Sequence, residues 1–116
     1  MIIKKWGIYR ADLDPVIGSE QGKTRPVLVI SEDEINQLLN TVNVLPITSR
    51  KPGRKIYPNE VLLNYNDYGL VKESIVLCYQ IRTLDKQRLT SIYGIIDQSA
   101  KRTEIEIALK FQLGIT

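Results

Sequence analysis

The feature that most constrains the fold is a series of six short segments with β-strand composition, separated by turn-forming residues. Residues 26–30 form a continuous apolar run, which predicts a strand buried on both faces, and residues 74–81 carry the strongest strand pattern. The predicted strands are residues 6–13, 26–30, 42–47, 56–63, 74–81 and 89–96. Strands this short and this closely spaced favour a small β-barrel or a strongly bent sheet.

Two helices complete the predicted fold, which is mainly β and forms one domain over residues 1–116. A short helix is expected after the second strand, where Ser31 supplies a capping hydroxyl and Glu34 stands at the capping-box position. A longer helix is expected at the C-terminus, with Gly114 as its cap. Its predicted apolar face comprises Ala100, Ile107, Ala108 and Phe111.

Basic residues are concentrated in a few stretches of a chain whose net charge is only +3. The densest is residues 50–55, with four cations in six residues and no acid. Such a run is either an ordinary solvated loop or a loop that contacts phosphate groups. The predicted connection at residues 15–24 is longer than a hairpin requires, and loops of this length are often functional.

The chain contains no histidine and one cysteine, Cys78. This excludes a Ser–His or Cys–His catalytic pair, every histidine-containing zinc site and an intrachain disulfide. A hydrolase of this composition must work with Arg, Lys, Asp, Glu, Tyr, Ser or Thr. The sequence has neither an apolar run long enough to span a membrane nor an apolar stretch after Met1, so we expect a cytoplasmic protein without a membrane partner.

Three segments carry a resemblance to a known family. They are GIYRADLDPVIGSEQGKTRPVLVI at residues 7–30, LPITS at residues 45–49 and QIRTLDKQRL at residues 80–89. Together, in this order and spacing, they resemble the MazF/PemK family of toxins from type II toxin–antitoxin pairs. The resemblance implies an SH3-like β-barrel with attached helices, and a homodimer. It also implies a sequence-specific endoribonuclease that cuts single-stranded RNA without metal or cofactor, and a cognate antitoxin that lays an extended acidic segment along the RNA groove.

The same resemblance assigns roles to individual residues. Arg25 and Thr48 are the implied catalytic pair. The predicted RNA contacts are Ser19, Glu20, Gln21, Ser49, Arg54, Gln80 and Arg82. Some family members carry Asp at the position of Tyr79, Arg at that of Leu77 and His at that of Ser19; this chain lacks all three, which aligns it with the branch that relies on the Arg and Thr pair.

The chemistry of these residue types agrees with such a reaction. Attack of a ribose 2′-hydroxyl on its own phosphate gives a 2′,3′-cyclic phosphate and a 5′-hydroxyl, and negative charge builds on the phosphoryl oxygens. Arg25 offers a planar fork of donors for these oxygens, and Thr48 adds a hydroxyl. Arginine is almost always protonated, so the general base is left open, and Glu20 is the nearest carboxylate in the sequence.

Each assignment has a plainer alternative. Arg25 could be a rim arginine paired with Asp12 or Glu20, and Thr48 could be a turn hydroxyl. Gln80 and Arg82 lie on one side if their strand continues, where they could simply satisfy a barrel rim. We expect Cys78 to be a small buried residue and Trp6 to lie in the core or at a dimer interface; Tyr57, Tyr65 and Tyr68 are candidates for stacking on a base.

Two other functions remain open at the level of sequence. Related toxins with the same barrel poison a gyrase without breaking a bond themselves, although residues 107–116 carry no signature of that activity. An inactive RNA-binding barrel would bind RNA tightly and in a salt-sensitive way, and would leave it intact.

Overall fold

The computed structural model describes residues 1–116, which form seven β-strands and two α-helices. The strands are β1 (Gly7–Asp12), β2 (Thr24–Val29), β3 (Thr41–Ser49), β4 (Glu60–Leu63), β5 (Ser74–Leu77), β6 (Arg82–Asp85) and β7 (Leu89–Ile95). The helices are α1 (Asp33–Leu38) and α2 (Ser99–Leu113). Single 3₁₀ turns occupy Asp67–Gly69, Cys78–Gln80 and Lys86–Arg88.

All strand pairs are antiparallel, and β3 is the centre of the sheet. The order is β4-β5-β3-β2-β1-β7, with β6 also paired to β3. The nine residues of β3 pair with β2 along one edge, and with β6 and then β5 along the other. The two end strands, β4 and β7, do not pair with each other, so the sheet is strongly bent but open. The predicted mainly β fold with two helices is therefore confirmed.

Two apolar clusters lie on opposite sides of the sheet, and β2 contributes to both. Leu28 belongs to a cluster of 13 residues that includes Trp6 and Ile105 of α2. Val27 and Val29 belong to a second cluster of nine residues. All three β2 side chains are fully buried, which confirms the prediction of a strand buried on both faces. Trp6 lies in the core, as one of its two predicted placements.

Two predicted strands were too long. In place of residues 56–63, only Glu60–Leu63 form a strand. The pattern at residues 74–81 predicted one continuous strand, but β5 ends at Leu77 and a 3₁₀ turn follows. The interruption has a structural reason: β5 pairs with β3 from Ile47 outward, whereas β6 pairs with β3 up to Val44, so the chain must step along β3 between them. Strand β6 was not predicted, since only Leu84 of its four residues is buried.

The helices were predicted in the right places but with wrong details. Ser31 does not cap α1: Glu32 stands at the N-cap without a side-chain bond, while the Ser31 hydroxyl pairs with Asn36 and accepts from the Asn43 N–H. In α2 the buried side chains are Ile105 and Ala108. The predicted face was wrong at three positions, because Ala100 is exposed and Ile107 and Phe111 are 62% and 63% exposed.

The cap of α2 was predicted correctly, since Gly114 is left-handed with a φ of 70°. Neither helix combines the length and apolar character that a membrane crossing requires.

Candidate active site

Arg25 and Thr48 lie side by side on adjacent strands. The register of β2 and β3 pairs Val27 with Pro46 and Leu28 with Leu45, and its continuation sets Arg25 opposite Thr48. Pro26 favours an extended backbone at the preceding residue, Arg25, which is the second residue of β2. Its Nη1 donates to the Thr48 Oγ1 at 3.3 Å. The structure therefore brings together the two residues predicted as the catalytic pair.

The guanidinium of Arg25 is held at one edge and free at the other. Its Nε donates to the carbonyl oxygen of Gly22 at 2.8 Å, and its Nη2 makes no hydrogen bond within the chain. It forms no ion pair with Asp12 or Glu20, so the alternative of a rim ion pair is wrong. A half-buried arginine without a carboxylate partner presents its donors to an external anion.

Residues 13–23 connect β1 and β2 as a loop. Its two ends are hydrogen-bonded to each other, and it contains further internal hydrogen bonds. Leu13 N–H donates to the Lys23 carbonyl at 2.8 Å, and the Asp14 Oδ1 accepts from the Lys23 N–H at 2.8 Å. A Cβ at Gly22 would lie 2.6 Å from that same Oδ1, so any larger residue here would have to displace the Asp14 side chain. The Glu20 carboxylate accepts from the Ile17 N–H at 2.7 Å. The loop therefore has a defined shape rather than a free tip.

Gln80 joins this loop to the 3₁₀ turn that follows β5. Its Nε2 donates to the Ser19 carbonyl at 3.0 Å, and its Oε1 accepts from the Gln21 N–H at 3.3 Å. Arg82 reaches the base of the same loop, where its Nη1 donates to the Leu13 carbonyl at 3.1 Å. The prediction that Gln80 and Arg82 lie on one side of a continuous strand fails, because Gln80 belongs to the 3₁₀ turn and Arg82 begins β6.

A cavity of about 330 Å³ opens where the loop meets the 3₁₀ turn. Its lining residues are Glu20, Tyr79, Gln80, Ile81 and Arg82. The predicted contacts at residues 19–21, 80 and 82 are thus gathered in one place. Glu20 is the carboxylate of this cavity. Tyr79 also lines it and is 39% exposed, whereas Leu77 is buried.

Ser49 and Arg54 lie elsewhere. Ser49 pairs with Ser74 on the other side of β3 and lines a separate cavity of about 150 Å³. Arg54 donates from Nη1 and Nη2 to the two carboxylate oxygens of Glu60, at 2.9 and 2.6 Å. Since its donors are already bound, Arg54 is an internal anchor of the basic loop in this structure and does not join the cavity beside Gln80.

The Arg54–Glu60 pair dominates the electrostatics of the basic loop. Glu60 is buried, and the hydrogen bond from Arg54 lowers the pKa of its carboxyl group below 4.5. The same bond raises the pKa of Arg54. Arg50 also pairs, with Glu73 at 3.2 Å, so Lys51 and Lys55 are the cations of residues 50–55 without a carboxylate partner. Half of the charge that predicted a phosphate-binding loop is internally neutralised.

Other residues occupy structural positions. Cys78 is buried as predicted, and burial raises the pKa of its thiol to about 12. Tyr68 donates to the Gln98 side chain at 2.7 Å, and burial raises the pKa of its hydroxyl group. Tyr57 is exposed in a cavity of about 600 Å³ that it shares with Tyr79 and Phe111. No three Cys, Asp or Glu side chains come close enough together to hold a metal ion.

Sequence reasoning missed the carbonyl of Gly22, which holds the Arg25 guanidinium in place. A backbone acceptor leaves no side-chain signal in a sequence. The only available hint was a glycine three residues before a candidate arginine, in a loop long enough to fold back.

The chain is similar in sequence to known proteins. A family model described as PemK-like, MazF-like toxin of type II toxin–antitoxin system matches residues 4–113. The chain is 41% identical over 115 residues to endoribonuclease EndoA of Bacillus subtilis strain 168, covering 99% of this chain and 97% of the relative.

Solved structures agree with this match. Crystalline MazF from Deinococcus radiodurans superposes with a TM-score of 0.81 at 27% identity, over 99% of both chains. A MazE–MazF crystal structure from the same organism superposes with a TM-score of 0.74 at 27% identity, over 100% of this chain and 99% of that one. The chain therefore belongs to the PemK-like, MazF-like toxin family of type II toxin–antitoxin systems.

Proposed function

We propose that this protein is a sequence-specific, metal-independent endoribonuclease that cleaves single-stranded RNA and acts as the toxin of its pair. The observation that carries the proposal is the contact between Arg25 and Thr48, in which the guanidinium lacks a carboxylate partner. The 41% identity to a protein named as an endoribonuclease supports it. The loop of residues 13–23 provides the adjoining surface.

The reaction is attack of a ribose 2′-hydroxyl on the adjacent phosphorus, which expels the 5′-oxygen of the next nucleotide. The products are a 2′,3′-cyclic phosphate and a 5′-hydroxyl. Arg25 stabilises the negative charge that develops on the phosphoryl oxygens. Its Nη2 is free to donate a hydrogen bond, and its Nε already donates to the Gly22 carbonyl. The Thr48 oxygen accepts from Nη1, so the Thr48 proton is available to a phosphoryl oxygen. Preorganised donors of this kind contribute about 3 kcal/mol each to transition-state stabilisation.

Proton transfer needs two further groups. Glu20 is our candidate for the base that takes the 2′-hydroxyl proton, because it is the one carboxylate residue that lines the cavity beside Gln80 and Arg82. Arg25 is the candidate donor to the departing 5′-oxygen. A Glu20→Gln variant tests the first role, since an amide that binds RNA equally well lowers kcat and leaves KM unchanged.

The partners follow from the same surface. A single RNA strand lies across the Arg25–Thr48 contact and the loop, with Ser19, Gln21 and Arg82 as proposed contacts; Ser49, in its separate cavity, lies outside this surface. A cognate antitoxin competes for this surface with an extended acidic segment; the similarity to a solved MazE–MazF structure from Deinococcus radiodurans supports an antitoxin partner. The toxin acts as a homodimer in the cytoplasm.

Incubation of the protein with mixed-sequence RNA in EDTA, followed by mapping of the new 5′ ends, tests the proposal. We expect cuts at one short sequence, with 5′-hydroxyl ends. Arg25→Ala should abolish cutting while the protein stays folded. Arg10→Ala is the matched control, because Arg10 is exposed and its side chain makes no hydrogen bond.

Three outcomes would contradict the proposal. Cleavage that requires Mg²⁺ would refute the metal-independent route. Intact RNA together with inhibition of gyrase supercoiling would assign the protein to the non-enzymatic toxins. Tight, salt-sensitive binding of RNA that remains intact would identify an inactive RNA-binding protein.

A further inference from the structure

The side chain of Gln80 makes two hydrogen bonds with backbone groups of the loop at residues 13–23. Its amide nitrogen donates to the Ser19 carbonyl and its amide oxygen accepts from the Gln21 N–H. These contacts join residues that lie 61 and 59 positions apart in the chain. A glutamine has one amide group with a donor side and an acceptor side, and both sides are used here.

The loop connects this amide directly to Arg25. The residue after Gln21 is Gly22, whose carbonyl accepts from the Arg25 Nε at 2.8 Å. Arg25 in turn reaches Thr48. A continuous series of hydrogen bonds and one covalent link therefore runs from Gln80 to the proposed catalytic pair.

Asp14 makes further close contacts with this part of the loop. Gly22 fits against the Asp14 carboxylate, since a Cβ would come within 2.6 Å of Oδ1 and 2.8 Å of the Val16 Cγ2. Lys23, which follows, adopts a left-handed φ of 63° and is held by that same Asp14 oxygen. We therefore expect a displacement of Ser19 and Gln21 to move the Gly22 carbonyl as well.

We propose that Gln80 is a positioning residue: through Ser19, Gln21 and Gly22 it fixes the plane of the Arg25 guanidinium. This role replaces the direct RNA contact that the sequence resemblance implied for Gln80. The folded chain makes both of these hydrogen bonds in the absence of RNA. The inference rests on the proposed function for its catalytic consequence, while its structural part concerns the free protein alone.

The structural part is tested without RNA, by the exchange rate of the Arg25 Nε–H proton in an NMR spectrum. Gln80→Met preserves the length of the side chain and removes both hydrogen bonds. We expect Nε–H exchange to accelerate roughly tenfold, because its acceptor carbonyl is no longer held. Gln80→Glu keeps an acceptor for Gln21 N–H and loses the donor to Ser19, so it should fall between wild type and Gln80→Met. Gln37→Ala, at an exposed position of α1, should leave the exchange rate unchanged.

The catalytic part is tested by the kinetics of RNA cleavage. Misplacement of a catalytic group by about 1 Å can cost about 10²-fold, so Gln80→Met should lower kcat by up to this factor and leave KM unchanged. A residue that only binds RNA gives the opposite result, a raised KM with kcat unchanged. Gln37→Ala should match wild type in both constants.

Each outcome decides between the two ideas. Unchanged Nε–H exchange in Gln80→Met overturns the positioning role, whatever the kinetics. Faster exchange with normal kcat, or a raised KM with normal kcat, overturns it as well. A wild-type protein that cuts no RNA overturns the proposed function instead, and the exchange measurement then decides the role of Gln80 within the fold.

Discussion

Replacing Glu60 by glutamine should destabilise this protein far more than the same change at Glu73. Both carboxylates pair with an arginine of residues 50–55, Glu60 with Arg54 and Glu73 with Arg50. They differ in burial: the Glu60 side chain is 1% exposed, whereas that of Glu73 is 44% exposed. The two variants thus form a matched pair that isolates the effect of burial.

The magnitude follows from the bonds that are lost. Glu60 accepts from Arg54 Nη1, Arg54 Nη2 and the Tyr57 N–H. A glutamine keeps one acceptor oxygen and turns an amide N–H₂ towards a donor, so at least one charge-assisted bond, worth about 1.5–3 kcal/mol, disappears. The Arg54 side chain is 30% exposed, so water partly compensates its charge. We expect a loss of about 2–3 kcal/mol for Glu60→Gln, and less than about 1 kcal/mol for the exposed pair in Glu73→Gln.

Urea denaturation followed by circular dichroism measures both values. Equal losses in the two variants, or a loss below about 1 kcal/mol for Glu60→Gln, would refute the assignment of a buried stabilising pair.

Acid provides a second test of the same pair. The pKa of Glu60 is lowered in the folded state, so its contribution is present above 4.5 and disappears as the pH falls through the lowered value. Wild-type stability should therefore fall more steeply below pH 4.5 than that of Glu60→Gln. Parallel curves would contradict this.

The remaining predictions concern the site and two local constraints. Thr48→Val should lower kcat about 10²-fold without loss of folding, because it removes a hydroxyl donor, whereas Thr48→Ser should retain most activity; single-turnover cleavage measures both. Cys78, whose thiol pKa is raised to about 12 by burial, should resist a thiol reagent at pH 8 in the folded protein and react once urea unfolds it. Rapid labelling of the native state would contradict its burial. Gly69→Ala should cost about 3 kcal/mol, since φ is +80° and the new Cβ would lie 1.9 Å from a carbonyl oxygen of β7. Gly53→Ala, with φ of +77° in open space, should cost only about 1 kcal/mol, and equal thermal shifts in the two variants would refute the steric argument.

The sequence predicted features that depend on short-range rules. A continuous, β-branched apolar run located β2, and its antiparallel pairing with β3 brings Arg25 to Thr48. Gly114 followed from the left-handed conformation that a helix end requires. Features that depend on competing partners were missed. Ser31 had a capping geometry available but bonds to Asn36 and Asn43 instead, and nothing local decides between them.

The face of α2 shows a second limit of sequence reasoning. Ile105, Ile107 and Phe111 are all apolar, and the helical period alone permits more than one stripe through them. Packing against the sheet buries Ala108, which was predicted, together with Ile105, which the sequence could not rank above Ile107. The role of Gln80 was hidden for a similar reason. No glycine or proline marks the 3₁₀ turn at Cys78–Gln80, so the alternation rule placed its side chain on a strand that does not exist there.

In the proposed reaction the RNA supplies its own nucleophile, and Arg25 and Thr48 stabilise the resulting charge. The most direct test is a single 2′-deoxy substitution at the nucleotide 5′ to the mapped cut, in an otherwise unchanged RNA. We expect this substrate to bind normally and to remain uncut, whereas an RNA with the 2′-deoxy group one nucleotide away should still be cut. Continued cleavage at the substituted position would contradict attack by the ribose 2′-hydroxyl, because the attacking oxygen would have to come from water.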